Sequence, residues 1–356
     1  MRLVATILTA LFVMLSSAPS WAEGKPRIAF LYHTPEDTIG WSFEHDRARK
    51  EVEEHFGDKI EVSYFWNIAE GEEGEAKMRE LAAEGYDLIF ATSYGYLNGV
   101  LNAAFANPDT KFEHSNGFVR APNSSTYSIR TYEGRVIQGI IAGNMTKTNK
   151  IGYIASYAIP YVIRDINAAF LAARSVNPDV QFEIVWLNTW ENHELEAQAA
   201  RDLIANGADI LMQNTNTIEP MKVAQELGAF SFGQDSDMKA YGPDASLTSS
   251  IDHWAPYYID RIQALLDGKW ESHDTWGGLA SGMLEIGPYS DLIPLRVQAQ
   301  ANDAIARIKE GSLHPFTGPI RKQDGSGWLA AGETASDSEL LTMFFFVEGI
   351  TGIIPQ

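Results

Sequence analysis

Two stretches decide the fold: Glu84-Gly85-Tyr86-Asp87-Leu88-Ile89-Phe90 and Asn206-Gly207-Ala208-Asp209-Ile210-Leu211-Met212. In each, a helical run stops at a glycine, which takes the left-handed conformation without a Cβ penalty. The chain then turns straight into an apolar strand. Working outward from the first stretch, strands are expected over residues 27–33, 61–67, 87–93 and 111–116. Helices are expected over 41–56, 72–84 and 97–106. A helix over 132–145 follows, and the pattern restarts around the second stretch. Its strands are 150–155, 181–187, 209–213 and 230–233, and its helices 161–176, 193–206 and 218–227. Short apolar strands alternating with helices predict parallel sheets covered on both faces. The fold class is therefore α/β, with two lobes of like architecture and no residue-level repeat between them.

The remaining sequence is less regular. Helices are expected over 254–266 and 294–309, with a short strand over 283–286. Gly318-Pro319 and Asp324-Gly325-Ser326-Gly327 flank Ile320-Arg321-Lys322 and read as a surface hairpin.

Composition narrows the function. A chain of 356 residues exceeds what one hydrophobic core usually serves. Hydrophobic residues make up 45 % and charged residues 21 %, which excludes a disordered or coiled-coil chain. A net charge of −20 argues against nucleic acid and against an anionic membrane surface. The absence of cysteine excludes disulfides, thiolate metal sites and a lipidated N-terminal Cys. Residues 1–22 read as a cleavable secretory signal: Met1-Arg2, an apolar run, then Ser20-Trp21-Ala22 with small residues at the −3 and −1 positions. The run is short for a membrane span, so a soluble periplasmic protein without a membrane anchor is expected. There is no phosphate-binding Gly-x-x-x-x-Gly-Lys loop, no Gly-x-Gly-x-x-Gly after the first strand, no serine elbow and no His-Glu-x-x-His. These absences favour binding over catalysis, with no metal and no cofactor.

Open parallel sheets bind ligands beyond the carboxyl ends of their strands. Aromatic residues recur there: Trp41 opens the first helix, Tyr94 follows the third strand, and Trp190 follows a strand of the second half. They could hold a flat ligand or pack the lobe cores. Asp235-Ser236-Asp237, after the strand at 230–233, could supply a carboxylate acceptor for a ligand amine, a helix cap or a hinge salt bridge.

Several stretches together resemble the basic membrane protein (PnrA-like) family, whose members serve ABC importers and bind purine bases or nucleosides. They are Gly40-Trp41-Ser42, Asn107-Pro108-Asp109-Thr110-Lys111-Phe112, Tyr132-Glu133-Gly134-Arg135, Lys150-Ile151-Gly152-Tyr153, Gly207-Ala208-Asp209-Ile210 and Gly233-Gln234-Asp235-Ser236-Asp237. The resemblance spans the chain after residue 22. It implies two α/β lobes of the type I periplasmic-binding-protein fold joined by three crossovers, and a monomer that docks on membrane permease subunits. It suggests an N-terminal lobe over 23–147 with a return near 252–282. A C-terminal lobe would cover 148–251 with a return near 283–310, and a tail 311–356. The resemblance puts the stacking rings on Trp41 and Trp190 and the family aspartate on Asp237. Tyr94, His114 and Asn214 lie at other strand ends facing the same cleft, although a structural histidine at a strand terminus is the better account of His114. Family members that bind nucleosides carry a lysine after a Thr-Ser pair. Here Thr248-Ser249-Ser250-Ile251 leads to Asp252, so a free base, adenine first, is favoured over a nucleoside. The alternatives are a sugar or other small metabolite on the same fold, and a nucleoside-processing enzyme.

Overall fold

The computed structural model describes residues 24–356, so the expected signal lies outside the described residues. The first run of elements is β1 (Arg27–Leu31), α1 (Trp41–Phe56), β2 (Glu61–Phe65), α2 (Glu72–Ala83), β3 (Leu88–Ala91), α3 (Leu97–Ala106), β4 (Lys111–Ser115) and β5 (Ser124–Ile129). The second is α4 (Thr131–Met145), β6 (Lys150–Ala155), α5 (Pro160–Val176), β7 (Gln181–Trp186), α6 (His193–Ala205), β8 (Ile210–Gln213), α7 (Glu219–Leu227), β9 (Phe230–Gly233) and β10 (Ser246–Asp252). The chain ends with α8 (Ala255–Leu266), β11 (Asp274–Gly277), β12 (Leu284–Ile286), α9 (Leu295–Lys309), β13 (Ile320–Arg321), β14 (Gly327–Leu329) and α10 (Asp337–Leu341).

Two six-stranded sheets result, ordered β11-β5-β4-β3-β1-β2 and β12-β10-β9-β8-β6-β7. All pairings are parallel except β10 with β12. Strand pleating divides the first sheet between two cores. Ile28 and Phe30 of β1 join the large core that runs between the lobes, while Ala29 and Leu31 face a separate core under α2 and α3. The two-lobed α/β architecture is therefore as expected, and Gly85 and Gly207 take φ of 85° and 98°.

The chain crosses between the sheets after β5, after β10 and after β11. The first crossing falls ahead of α4, earlier than the expected boundary at 147/148. The apolar face of α4, including Ile137 and Ile141, packs against α5 and α9 beside the second sheet. Strands β5, β10 and β11 were not expected: the first two are rich in Ser and Thr and have no apolar run to betray them, and the third is only four residues long. Their hydroxyls are buried with partners: Ser125 Oγ accepts from Arg261 Nη2 at 2.9 Å, and Thr126 Oγ1 donates to Asp274 at 2.5 Å. Partnered hydroxyls make such strands as buriable as apolar ones. The hairpin of β13 and β14 is present, with Ile320 and Leu329 buried.

Candidate functional site

Each sheet reverses its order around a central strand, β1 in one and β6 in the other. At such switch points the loops beyond the strands diverge and leave a crevice. The two crevices share one cavity of about 740 Å³. His33 beyond β1, Tyr94 beyond β3 and Asn116 beyond β4 reach it from the first lobe. Trp190 beyond β7, Asn214 beyond β8 and Asp235 beyond β9 reach it from the second.

Trp41, the first residue of α1, is half-buried with its position set on several sides. Its Nε1 donates to the Thr92 carbonyl at 2.6 Å. Its ring meets Trp254 and His45 edge-on, at centroid distances of 5.2 and 4.9 Å. Among the described residues, Trp190 has one aromatic neighbour, Tyr157, at 5.1 Å. Both tryptophans are tied to Asn216, which sequence reasoning missed. Its Oδ1 accepts from the Trp41 backbone N–H at 2.7 Å, and its own backbone N–H donates to the Trp190 carbonyl at 2.9 Å. Its amide also donates to Glu191 at 3.0 Å. One residue thus links a ring-bearing segment of each lobe, by its side chain to Trp41 and by its backbone to Trp190. The lobes touch again where Ser236 Oγ accepts from the Gly40 N–H at 2.9 Å and donates to Glu44 at 2.5 Å.

Of the expected residues, Trp41, Trp190, Tyr94 and Asn214 line the cavity; Asp237 and His114 do not. Asp237 is exposed on the far side of its turn, accepting from Lys239 N at 3.0 Å and Ser249 Oγ at 3.3 Å. Asp235 stands in the cavity instead. Its φ of 59° is left-handed, so the backbone swings its side chain inward and carries Asp237 out, a reversal that residue spacing does not reveal. His114 is buried behind the wall with Nε2 3.0 Å from the Ser93 carbonyl. Burial pushes its pKa down to about 4, so it stays neutral and braces a strand end.

The carboxyl of Asp235 is pushed up to about 7 by burial; Arg135 opposes this, and Asp165 and Glu44 add to it. Glu44 rises likewise to about 7, chiefly through burial. Asp252, 1 % exposed, is held well above the usual carboxylate range by burial and by Asp235, Glu44 and Asp165. One of its carboxyl oxygens has no hydrogen-bond partner, and its backbone N–H donates to the Asp235 carbonyl at 2.8 Å. Arg135 lies among these acids, bonding Asp165 at 3.1 Å, the Gln213 carbonyl at 2.7 Å and Gln234. Asn214 is pinned between Tyr153 and Asp165, donating to the latter at 3.2 Å. The arrangement offers two aromatic plates and, in the same cavity, the buried carboxyl of Asp235, pushed up to about 7, with further buried acids behind it. That suits a flat heterocycle with amine or ring-nitrogen edges. Among the described residues no group of His, Asp and Glu side chains could hold a metal ion, and no helix is long and apolar enough to cross a membrane.

Comparison with known proteins gives the family and the fold. A purine-binding protein of Brucella abortus is 45 % identical, with 98 % of this chain and 99 % of that protein covered. A Haloferax volcanii protein named for glucose binding in an ABC transporter is 32 % identical over 92 % of this chain and 81 % of its own. The solved structure of an ABC transporter solute-binding protein from Aeropyrum pernix superimposes with a TM-score of 0.70 at 16 % identity, covering 88 % of this chain and 97 % of that one. Residues 25–313 match the family model described as "ABC transporter substrate-binding protein PnrA-like", and the chain belongs to that family.

Proposed function

We propose that this protein captures a purine base, adenine first, between Trp41 and Trp190 and delivers it to the permease of an ABC importer. The observation that carries the reading is the pair of tryptophans, one from each lobe, linked through Asn216, with the buried carboxyl of Asp235 in the same cavity. A carboxyl that titrates near neutrality can donate to a ring nitrogen in its acid form and accept from the exocyclic amine. Asp252 falls where the family resemblance places the lysine of nucleoside-binding members, and the loss of that cation favours a bare base over a nucleoside. The purine-binding relative supports the ligand class. The protein works as a monomer in the periplasm after removal of residues 1–22, and performs no covalent chemistry.

Thermal unfolding with adenine, hypoxanthine, guanine, guanosine and glucose tests this. A ligand of the native state at about 100 times its Kd stabilises by about 2.7 kcal/mol. Adenine is expected to raise Tm, and guanosine much less. Superimposable curves for all purines would overturn the reading. A rise with glucose alone would favour the sugar reading, which the Haloferax relative supports.

A further inference from the structure

Besides the two tryptophans, the cavity is lined by exposed apolar side chains that a bare base would not use. On the first-lobe side Tyr94 and Phe118 stack with centroids 6.1 Å apart, and are 36 % and 58 % exposed. The same cavity is lined by Leu341 and Phe344, 43 % and 49 % exposed. These two belong to the C-terminal segment, beyond the residues 25–313 that the family model matches.

That segment is fastened in place. Arg130 donates to both carboxylate oxygens of Asp337, at 2.8 and 2.7 Å. Arg164 Nη1 donates to the Leu340 carbonyl at 2.8 Å. Asn167 donates to the Phe345 carbonyl at 2.9 Å and accepts from the Val347 N–H at 3.0 Å. Leu341 and Phe344 are therefore held at the cavity by bonds on both sides of them and cannot fold back into a core. Four large apolar side chains kept in water around one cavity mark a surface that something covers. A cavity of about 740 Å³ is of the size that takes drug-sized ligands, and a bicyclic base fills only part of it.

We propose, resting on the purine reading, that the ligand is a purine carrying an apolar substituent, seated between Tyr94–Phe118 and Leu341–Phe344. The C-terminal segment is then a specificity element: it supplies one wall of the substituent's pocket, and the family framework supplies the other. A sugar in this cavity would leave the four apolar side chains uncovered.

Calorimetric titration with adenine, N6-benzyladenine and 9-benzyladenine tests the proposal, since the last two carry one phenyl group off different edges of the base. One of them is expected to bind about tenfold or more tighter than adenine, from the apolar area it buries. In Phe344→Ala and in Phe118→Ala the ratio of its affinity to that of adenine is expected to fall below about threefold, and in Phe344→Leu to recover. The ratio within one protein is insensitive to a general loss of folded protein. If adenine binds and neither benzyl purine exceeds it, or if the gain survives both alanine substitutions, the substituent pocket is overturned while the purine reading stands. If no purine binds, both fall.

Discussion

The two tryptophan walls of the cleft are built differently. Trp41 begins a long helix, is backed by Trp254 and His45, and is held by its own indole N–H. Trp190 sits on a loop after β7 with one aromatic neighbour among the described residues, Tyr157, itself 37 % exposed. A fixed wall contributes binding energy with little ordering cost, whereas a looser one must be ordered by the ligand. If the cleft holds its ligand as proposed, the first lobe supplies the preformed half of the site and the second lobe the half that the ligand orders.

Alanine substitutions probe that asymmetry most strongly. Loss of one stacked ring costs about 1–3 kcal/mol. Trp41→Ala is expected at or above the top of that range, because it also strips support from Trp254 and leaves the Thr92 carbonyl unpaired; Kd for adenine should rise about a hundredfold or more. Trp190→Ala should cost about tenfold, and Trp190→Phe little. Titration calorimetry decides, and equal losses at the two positions would break the comparison.

The next effect concerns the two aspartates of one turn. Asp235→Asn should weaken adenine about tenfold, the worth of a hydrogen bond to a charged group, while Asp237→Asn should leave Kd unchanged. The reverse result would return the site to the residue that the family pattern favours.

Two glycines of left-handed conformation sharpen the picture further. A Cβ on Gly40 would stand 2.3 Å from Asn216 Oδ1, the acceptor of the Trp41 N–H, and one on Gly207 would meet nothing within 4 Å. Gly40→Ala should therefore weaken adenine several-fold. Gly207→Ala should lower only thermal stability, by about 1–2 kcal/mol.

The last test concerns pH. Asp235 and Glu44 have folded-state values of about 7, against roughly 4 in an unfolded chain. Between those values the native state binds more protons, so stability falls as pH rises. Tm is expected to drop from pH 5.5 to pH 8, and Asp235→Asn to flatten the decline. A Tm that rises over the same interval would contradict these raised values.

How much of this was legible beforehand depended on side-chain chemistry. Strands with apolar runs, such as β1, β3 and β6, announced themselves, as did helix ends at glycine. Strands β5 and β10 did not, because serine and threonine at core positions look like loop residues until their partners are known. Trp41 and Trp190 drew attention because large aromatics stand out just beyond strands, and both line the cavity. Asn216 was missed because an asparagine after a strand has no signature; only its bonds to both lobes give it meaning. Asp235 and Asp237 could not be told apart, since one positive φ decides which faces inward. The hairpin was foreseen, but the path of the tail to the cleft depends on Asn167 and Arg164, more than a hundred residues away in sequence.

The triple crossing bears on how the protein is made. Thr126 of β5 pairs with Asp274 of β11, and Ser250 of β10 with Ile286 of β12. On the ribosome, the first sheet keeps a bare β5 edge until almost all of the second sheet has been synthesised. Neither lobe is a unit that can finish folding alone, and such distant pairings slow the search for the native topology. An unpaired edge is also a point where chains join one another. A chain truncated before residue 274 would thus be damaged first in the lobe farthest from the cut in sequence, and would expose there the strand edge most open to aggregation.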